Sequence, residues 1–178
     1  ENLSDLSDLV IRENCDIGFA VDPDSDRLAI IDERGKPLGE EYTLVLAAAG
    51  YLSQKENSEV LVTNLSSSIA LDKLADKYNS TVLRSAVGEI NVVNKMVECN
   101  SSFGGEGNGG VILKDAHLGR DALVGAALIL SYLSHQKTTL SETHKALPQY
   151  VIVKDKINIK NINIKFFEEK LKNLYKDS

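Results

Sequence analysis

Two periods of apolar residues run along this chain and predict its elements. Leu3, Leu6, Leu9 and Val10 recur at helical spacing, so the chain opens as an amphipathic helix. Asp16 to Val21 and Leu28 to Ile31 are short apolar runs and predict two strands, followed by a turn at Glu33-Arg34-Gly35-Lys36-Pro37. Glu40 to Ser53 predicts a helix with acids in its first turn and a centre buried on most sides. Glu59 to Thr63 and Thr81 to Arg84 predict further strands. The helix between them runs through Tyr78, with Ser66-Ser67-Ser68 supplying N-cap oxygens. From about Gly88 to Val97 a helix is expected with Ile90, Val93 and Met96/Val97 on one face.

Phe103 leads into Gly104-Gly105-Glu106-Gly107-Asn108-Gly109-Gly110, and Val111-Ile112-Leu113 leaves it as a strand. Arg120 to Leu133 predicts a long apolar helix and Leu140 to Ala146 a short one, which Pro148 ends. Tyr150 to Ile164 alternates apolar residues with Lys, Asp and Asn and predicts an exposed edge strand; Phe166 to Tyr175 predicts a closing helix. Strands separated by helices imply an α/β fold of βαβ type, a mixed sheet covered by helices with ligands at the strand ends. The Lys/Asn/Ile bias after Val153 predicts a boundary there.

Composition narrows the function classes. The chain has 178 residues, 43% of them hydrophobic, enough for one ordinary core or a small domain with part of another. A net charge of −6 and a pI near 5.1 exclude nonspecific binding of nucleic acid or anionic membrane, which needs a basic face. Any bound phosphate must be met locally, by a metal, an arginine or a helix N-terminus. Cys15 and Cys99 are far apart and lack metal-ligand spacing, so free thiols in a reducing compartment are expected. No apolar stretch reaches bilayer length and no signal pattern opens the chain, so a soluble cytoplasmic protein is expected.

The stretch Asp22-Pro23-Asp24-Ser25-Asp26-Arg27 sets three carboxylates at alternate positions between two apolar segments. In extended chain these side chains point one way and repel unless a cation is shared. A hard ion such as Mg²⁺ takes such oxygen ligands together with phosphate and water. Pro23 stiffens the loop by fixing its own φ and biasing Asp22 towards extended geometry. A solvated turn uses the same residue types. A calcium loop also fits in part, with Asp22, Asp24 and Asp26 at positions one, three and five and Glu33 at twelve, although Arg27 stands where the glycine belongs.

Gly105 to Gly110 spells the glycine spacing of a dinucleotide loop, yet it opens a strand-like run rather than a helix, and Glu106 would face a pyrophosphate. Glycines here let the backbone turn while Glu106 and Asn108 offer acceptors and donors suited to vicinal sugar hydroxyls. A glycine-rich surface turn is the alternative. Arg120 at a predicted helix start opposes the helix dipole unless it binds an anion, and Asp121 either favours that N-terminus or orients Arg120. His135 and His144 are expected on the surface.

Taken in order, the acidic loop, Ser66-Ser67-Ser68, Val87-Gly88-Glu89, the glycine-rich loop and His117-Leu118-Gly119-Arg120-Asp121 resemble the α-D-phosphohexomutase superfamily, over residues 1 to about 150. The likeness is to phosphoglucosamine mutases and phosphomannomutases. It implies that residues 1–35 close the second of four domains, that 36–150 form the third, and that 151–178 end it and lead towards a fourth. It also implies Mg²⁺ held by Asp22, Asp24 and Asp26, and an active-site role for Arg27. Sugar recognition would fall to Glu106 and Asn108, with Ser66, Ser68 and Glu89 near the substrate and Arg120 on an anion. The implied reaction interconverts hexose 1-phosphate and 6-phosphate of glucosamine, mannose or glucose through a phosphoserine and a hexose 1,6-bisphosphate. The histidine that closes the sugar loop in many members is Gly110 here, and His117 lies a few residues on. The serine motif, Thr-Ala-Ser-His-Asn-Pro, occurs nowhere in these residues. With Glu1 in place of an initiator methionine, that predicts an inactive piece of a larger enzyme, whose other domains would be its partners. The competing class is a stand-alone Ca²⁺ or sugar-binding module.

Overall fold

The computed structural model of the protein describes residues 3–153, 155 and 164–174. Helix α1 (Ser4–Arg12) packs on a hairpin of β1 (Ile17–Val21) and β2 (Leu28–Asp32), antiparallel with Phe19 opposite Ile30. The turn after β2 is organised by buried Asp32, whose Oδ1 accepts from the backbone N–H groups of Arg34 (3.0 Å) and Lys36 (2.9 Å). Arg34 Nη2 closes on its Oδ2 at 2.9 Å. These bonds outweigh burial, which favours the neutral acid, and hold the Asp32 carboxyl below the usual carboxylate range.

A four-stranded mixed sheet follows, in the order β4-β3-β5-β6. Strand β3 (Val60–Asn64) lies parallel to β4 (Thr81–Ser85) and β5 (Phe103–Glu106), while β6 (Gly110–Leu113) runs antiparallel to β5. Helices α2 (Glu40–Leu52), α3 (Ala70–Lys77), α4 (Glu89–Glu98) and α5 (Ala122–His135) cover it. The expected α/β fold, a mixed sheet with helices, is therefore present. Helix α2 is buried from Thr43 to Leu52 and crosses α5 so tightly that a Cβ at Gly50 would overlap the Leu128 carbonyl oxygen. Leu28 and Ile30 of the first hairpin share one apolar cluster with Leu44, Phe103, Val111 and Ile129, so hairpin and sheet have a common core.

Three expectations are corrected. The expected face of α4 is only partly the buried one: Met96 and, in part, Val93 pack with Val92 on a second cluster with Val62 and Ile112, whereas Ile90 and Val97 are 65% and 57% exposed. Gly105, the first glycine of the expected turn, lies with Gly104 inside β5, where a Cβ at Gly104 would meet Met96 Sδ and the Val62 carbonyl oxygen. His144, on α6 (Leu140–Ala146), is half-buried rather than on the surface. Its ring stands edge-on to Tyr42 with centroids 4.3 Å apart, and burial pushes its pKa down. The predicted edge strand at 150–164 falls mostly outside the described residues, and Val151, Ile152, Val153 and Asp155 have no regular structure. Helix α7 (Ile164–Leu174) matches the closing helix. Among the described residues no helix is long and apolar enough to cross a membrane.

Candidate functional site

The acidic loop does not run extended. Asp22 N–H donates to the Arg27 carbonyl at 3.3 Å and Ser25 N–H to the Asp22 carbonyl at 3.0 Å, with Ser25 at φ 60°. The chain thus bends around its carboxylates instead of alternating them, and the side chains converge for a different reason from the one the spacing suggested. One oxygen from each of Asp22, Asp24 and Asp26 lies within 4.8 Å of the others.

Asp22 is the buried member. Its Oδ1 accepts from the N–H groups of Asp26 and Arg27, both at 3.1 Å, and Arg27 Nε donates to its Oδ2 at 2.6 Å. Burial opposes its ionisation, yet the Arg27 N–H and guanidinium prevail and hold its carboxyl far below the usual range. Asp26 is shifted the other way. Burial, opposed by Arg120 and assisted by Asp22 and Asp24, pushes its pKa up. Its Oδ1 is buried and accepts no hydrogen bond. Asp24 is exposed. Two like charges held together, an orphaned buried oxygen and an all-oxygen donor set fit a hard divalent cation such as Mg²⁺. They do not fit the calcium loop. Glu33 lies at the far end of β2 from Asp22, and its Oε2 accepts from the N–H of Ser141 at 3.1 Å.

The glycine-rich stretch is a hairpin between β5 and β6 whose loop is Gly107 to Gly109, and it packs directly on the acidic loop. Leu28 N–H donates to the Gly109 carbonyl at 3.1 Å, Arg27 bridges to Gly110, and Ala122 N–H donates to the Ser25 carbonyl at 3.2 Å. Gly109 has φ +91° and a Cβ there would lie 2.7 Å from the Leu28 carbonyl oxygen, so this approach requires glycine.

Glu106 is 3% exposed, and its Oε1 accepts from Asn64 Nδ2 at 2.5 Å and from Gly88 N–H, the α4 N-cap, at 3.2 Å. Its Oε2 accepts from Arg120 Nη1 at 2.6 Å. Asn108 lines two recesses. One is a cleft of about 90 Å³ shared with Asn64, Ser66, Val87, Glu106 and Gly107, and the other lies beside Asp22, Arg27 and Glu40.

Arg120 does not lie on the helix start waiting for a ligand. Its guanidinium pairs with Asp26 and Glu106, while its N–H donates to Glu89 Oε1 at 2.8 Å and its Nε sits 3.5 Å from Glu89 Oε2. Asp121 is the N-cap of α5, accepting from Leu123 N–H at 2.7 Å and Val124 N–H at 3.0 Å. His117 is half-exposed, with Nδ1 3.9 Å from Asp121 Oδ2. Ser66 reaches the cleft, but Glu89 reaches Arg120 instead. Ser68 Oγ accepts from Ala70 N–H at 3.1 Å at the start of α3.

Several residues of the site escape the sequence reading. Asn64 binds Glu106 and accepts from Ser66 N–H and Ser67 Oγ; Ser67 Oγ accepts from Thr63 Oγ1 and Gly107 N–H; Arg84 donates to the carbonyls of Asn64 and Ser67. The signal for Asn64 is its place at the carboxyl end of a parallel strand, where α/β sheets bind ligands.

Residues 29–151 match the family model described as phosphoglucomutase/phosphomannomutase, alpha/beta/alpha domain III, and residues 1–35 match that of domain II. A phosphoglucomutase/phosphomannomutase of Thermococcus kodakarensis is 35% identical over 159 residues, covering 89% of this chain and 35% of that protein. A probable phosphoglucosamine mutase of Methanopyrus kandleri is 32% identical over 181 residues, covering 99% of this chain and 40% of that protein. The chain thus spans little more than a third of the length of these relatives. Among solved structures, a phosphoglucomutase/phosphomannomutase family protein of Burkholderia thailandensis superimposes with a TM-score of 0.74 at 26% identity, over 84% of this chain and 32% of that one.

Proposed function

The chain belongs to the phosphoglucomutase/phosphomannomutase family, and on that footing we propose that its acidic loop and its glycine-rich hairpin are two parts of one hexose-phosphate mutase site. The supporting observation is their direct contact through Leu28, Gly109, Arg27 and Gly110, which brings the three aspartates beside a polar cleft. The substrate is a hexose phosphate of the glucosamine, mannose or glucose series, interconverted between 1- and 6-phosphate through a hexose 1,6-bisphosphate. The phosphoserine that exchanges phosphate with it comes from outside these residues, in another domain of the polypeptide. Residues 1–35 close one α/β domain, 36–150 form the next, and 151–178 lead onward.

Asp22, Asp24 and Asp26 would hold Mg²⁺, which when bound neutralises developing charge on phosphoryl oxygens. Arg27 braces Asp22 in its ionised state and keeps its half-exposed guanidinium edge for phosphate, as a bidentate donor can. Asn108, between the two recesses, is the group best placed to meet a sugar hydroxyl, with Ser66 across the cleft. Glu106 spends three acceptor positions on Asn64, Gly88 and Arg120, so it shapes and charges the cleft and has one lone pair left for a hydroxyl. Glu89 acts through Arg120. The two free thiols, Cys15 and Cys99, suit a reducing cytoplasm as the place of work.

Calorimetry with glucose 1,6-bisphosphate and Mg²⁺ tests this reading. Wild-type chain should bind without turnover and Asn108→Ala should lose most of the affinity. Equal binding by Asn108→Ala rejects the cleft as the sugar site, and mutase turnover by the 178-residue chain rejects an outside phosphoserine.

A further inference from the structure

Arg120 occupies ground that the sequence leaves vacant. Gly110 has no side chain, and a Cβ there would overlap Arg120 Cδ and come within 3.0 Å of its Cγ. The arginine stem therefore lies across the Gly110 backbone, where a larger residue would exclude it. From that position the guanidinium spans Asp26 of the acidic loop and Glu106 of the sugar hairpin, which are 94 and 14 residues away in sequence. The side chain is only 17% exposed, so the charges interact across partly dehydrated surroundings.

Both ends of this bridge are unfinished. Asp26 Oδ1 is buried with no hydrogen bond and has Arg27 Nε at 3.5 Å, and Arg120 Nε is buried with none and has Glu89 Oε2 at 3.5 Å. The guanidinium neutralises one carboxylate of a cluster that a divalent ion would also neutralise. Asp26 cannot give its full charge to both.

We infer that Arg120 is a built-in counter-ion that competes with the metal for Asp26 and, by remaining on Glu106, couples occupancy of the acidic loop to the charge of the sugar cleft. This rests on the reading of Asp22, Asp24 and Asp26 as a cation site. With a metal held by the acidic loop, Arg120 Nη2 would leave Asp26 at the seam between the two loops and could turn to an anionic substituent of the sugar. Linkage requires the reverse as well: a phosphate that draws Arg120 away from Asp26 strengthens metal binding. Arg120 is thus a positioning residue whose site is opened by glycine at 110, and Glu89 holds its backbone and Nε side in place.

The test is a Mn²⁺ titration of the whole 178-residue chain, followed by calorimetry and by electron paramagnetic resonance of the free ion. Circular dichroism checks the fold of every variant. Arg120→Gln should bind Mn²⁺ about fivefold or more tightly than wild type, the lower end of ordinary coupling between sites. Arg120→Lys, a cation without the fork to span both carboxylates, should fall between them. Gly110→Ala keeps the arginine but displaces its stem, and should also tighten Mn²⁺ binding; it carries the test if Arg120→Gln does not fold. In wild type, Mg²⁺ should shift the Arg120 Nε–H resonance. A variant affinity equal to or weaker than wild type, with Asp26→Asn weakening binding, makes Arg120 a mere brace and overturns the competition alone. No Mn²⁺ binding by wild type or Arg120→Gln overturns the cation site and the competition with it.

Discussion

Asp32 shows how one residue can carry the sign of a pH dependence. It is 1% exposed, with two backbone N–H groups and the Arg34 guanidinium on its carboxylate. Its folded pKa is lowered, so the unfolded chain binds its proton more readily. The stability it contributes is therefore complete above the unfolded value, about pH 4 for an aspartate, and is lost as pH falls through the depressed folded value. Asp32→Ala should cost roughly 2–3 kcal/mol at neutral pH, since it strands buried donors. Asp32→Asn should flatten the acid limb of a Tm-against-pH curve; an unchanged limb would show that Asp32 does not govern it. Gly107 is a second case. A Cβ there would collide with the Glu41 carboxylate, which accepts from Ser68 N–H at 2.9 Å, so Gly107→Ala should lower both Tm and hexose-phosphate affinity. The need for glycine at 107 comes from Glu41, on a helix some 66 residues earlier, and no local rule announces it.

At the scale of elements, α5 combines a partly legible end with an illegible face. The apolar run predicts a start at Arg120 and leaves Asp121 either favouring the N-terminus or orienting Arg120; the helix in fact starts at Ala122 with Asp121 as its N-cap. Asp121→Ala should cost about 1 kcal/mol, measured by urea unfolding. The close crossing of α2 and α5 at Gly50 is different. A β-carbon at Gly50 would overlap the Leu128 carbonyl oxygen and lie 2.9 Å from its carbon, so the helices must separate to admit it. Gly50→Ala should destabilise by about 1–3 kcal/mol by overpacking, although alanine favours helix more than glycine. A rise in Tm would show that propensity, not packing, decides there. The same limit explains α4. Apolar residues occupy more than one side of that helix, and only the position of the sheet selects Val92 and Met96 over Ile90 and Val97 for burial.

For the whole molecule, the shared core of hairpin and sheet makes a prediction. Leu28 and Ile30 pack with residues of α2, β5, β6 and α5, so the hairpin and the sheet with its helices should unfold together despite spanning two matched family segments. A single calorimetric transition is expected, and two resolved transitions would show that the segment up to residue 35 unfolds by itself.

The sequence by itself determined the order of helices and strands as far as α6, the α/β class, and the acidic and glycine-rich stretches as the two candidate loops. Each of these rests on period, capping or residue type within a short window. The motif order was enough to place the chain near its family. Tertiary structure alone decided which loops meet and what each charge faces. Asp22, Asp24 and Asp26 announce a cation site because they stand at alternate positions, yet the fold brings them together by a turn with Ser25 at positive φ. Arg120 reads as an anion binder because a cation at a helix start is unfavourable, but its anions prove to be Asp26 and Glu106. Such pairings depend on long-range closure of the chain, which short-range spacing does not encode.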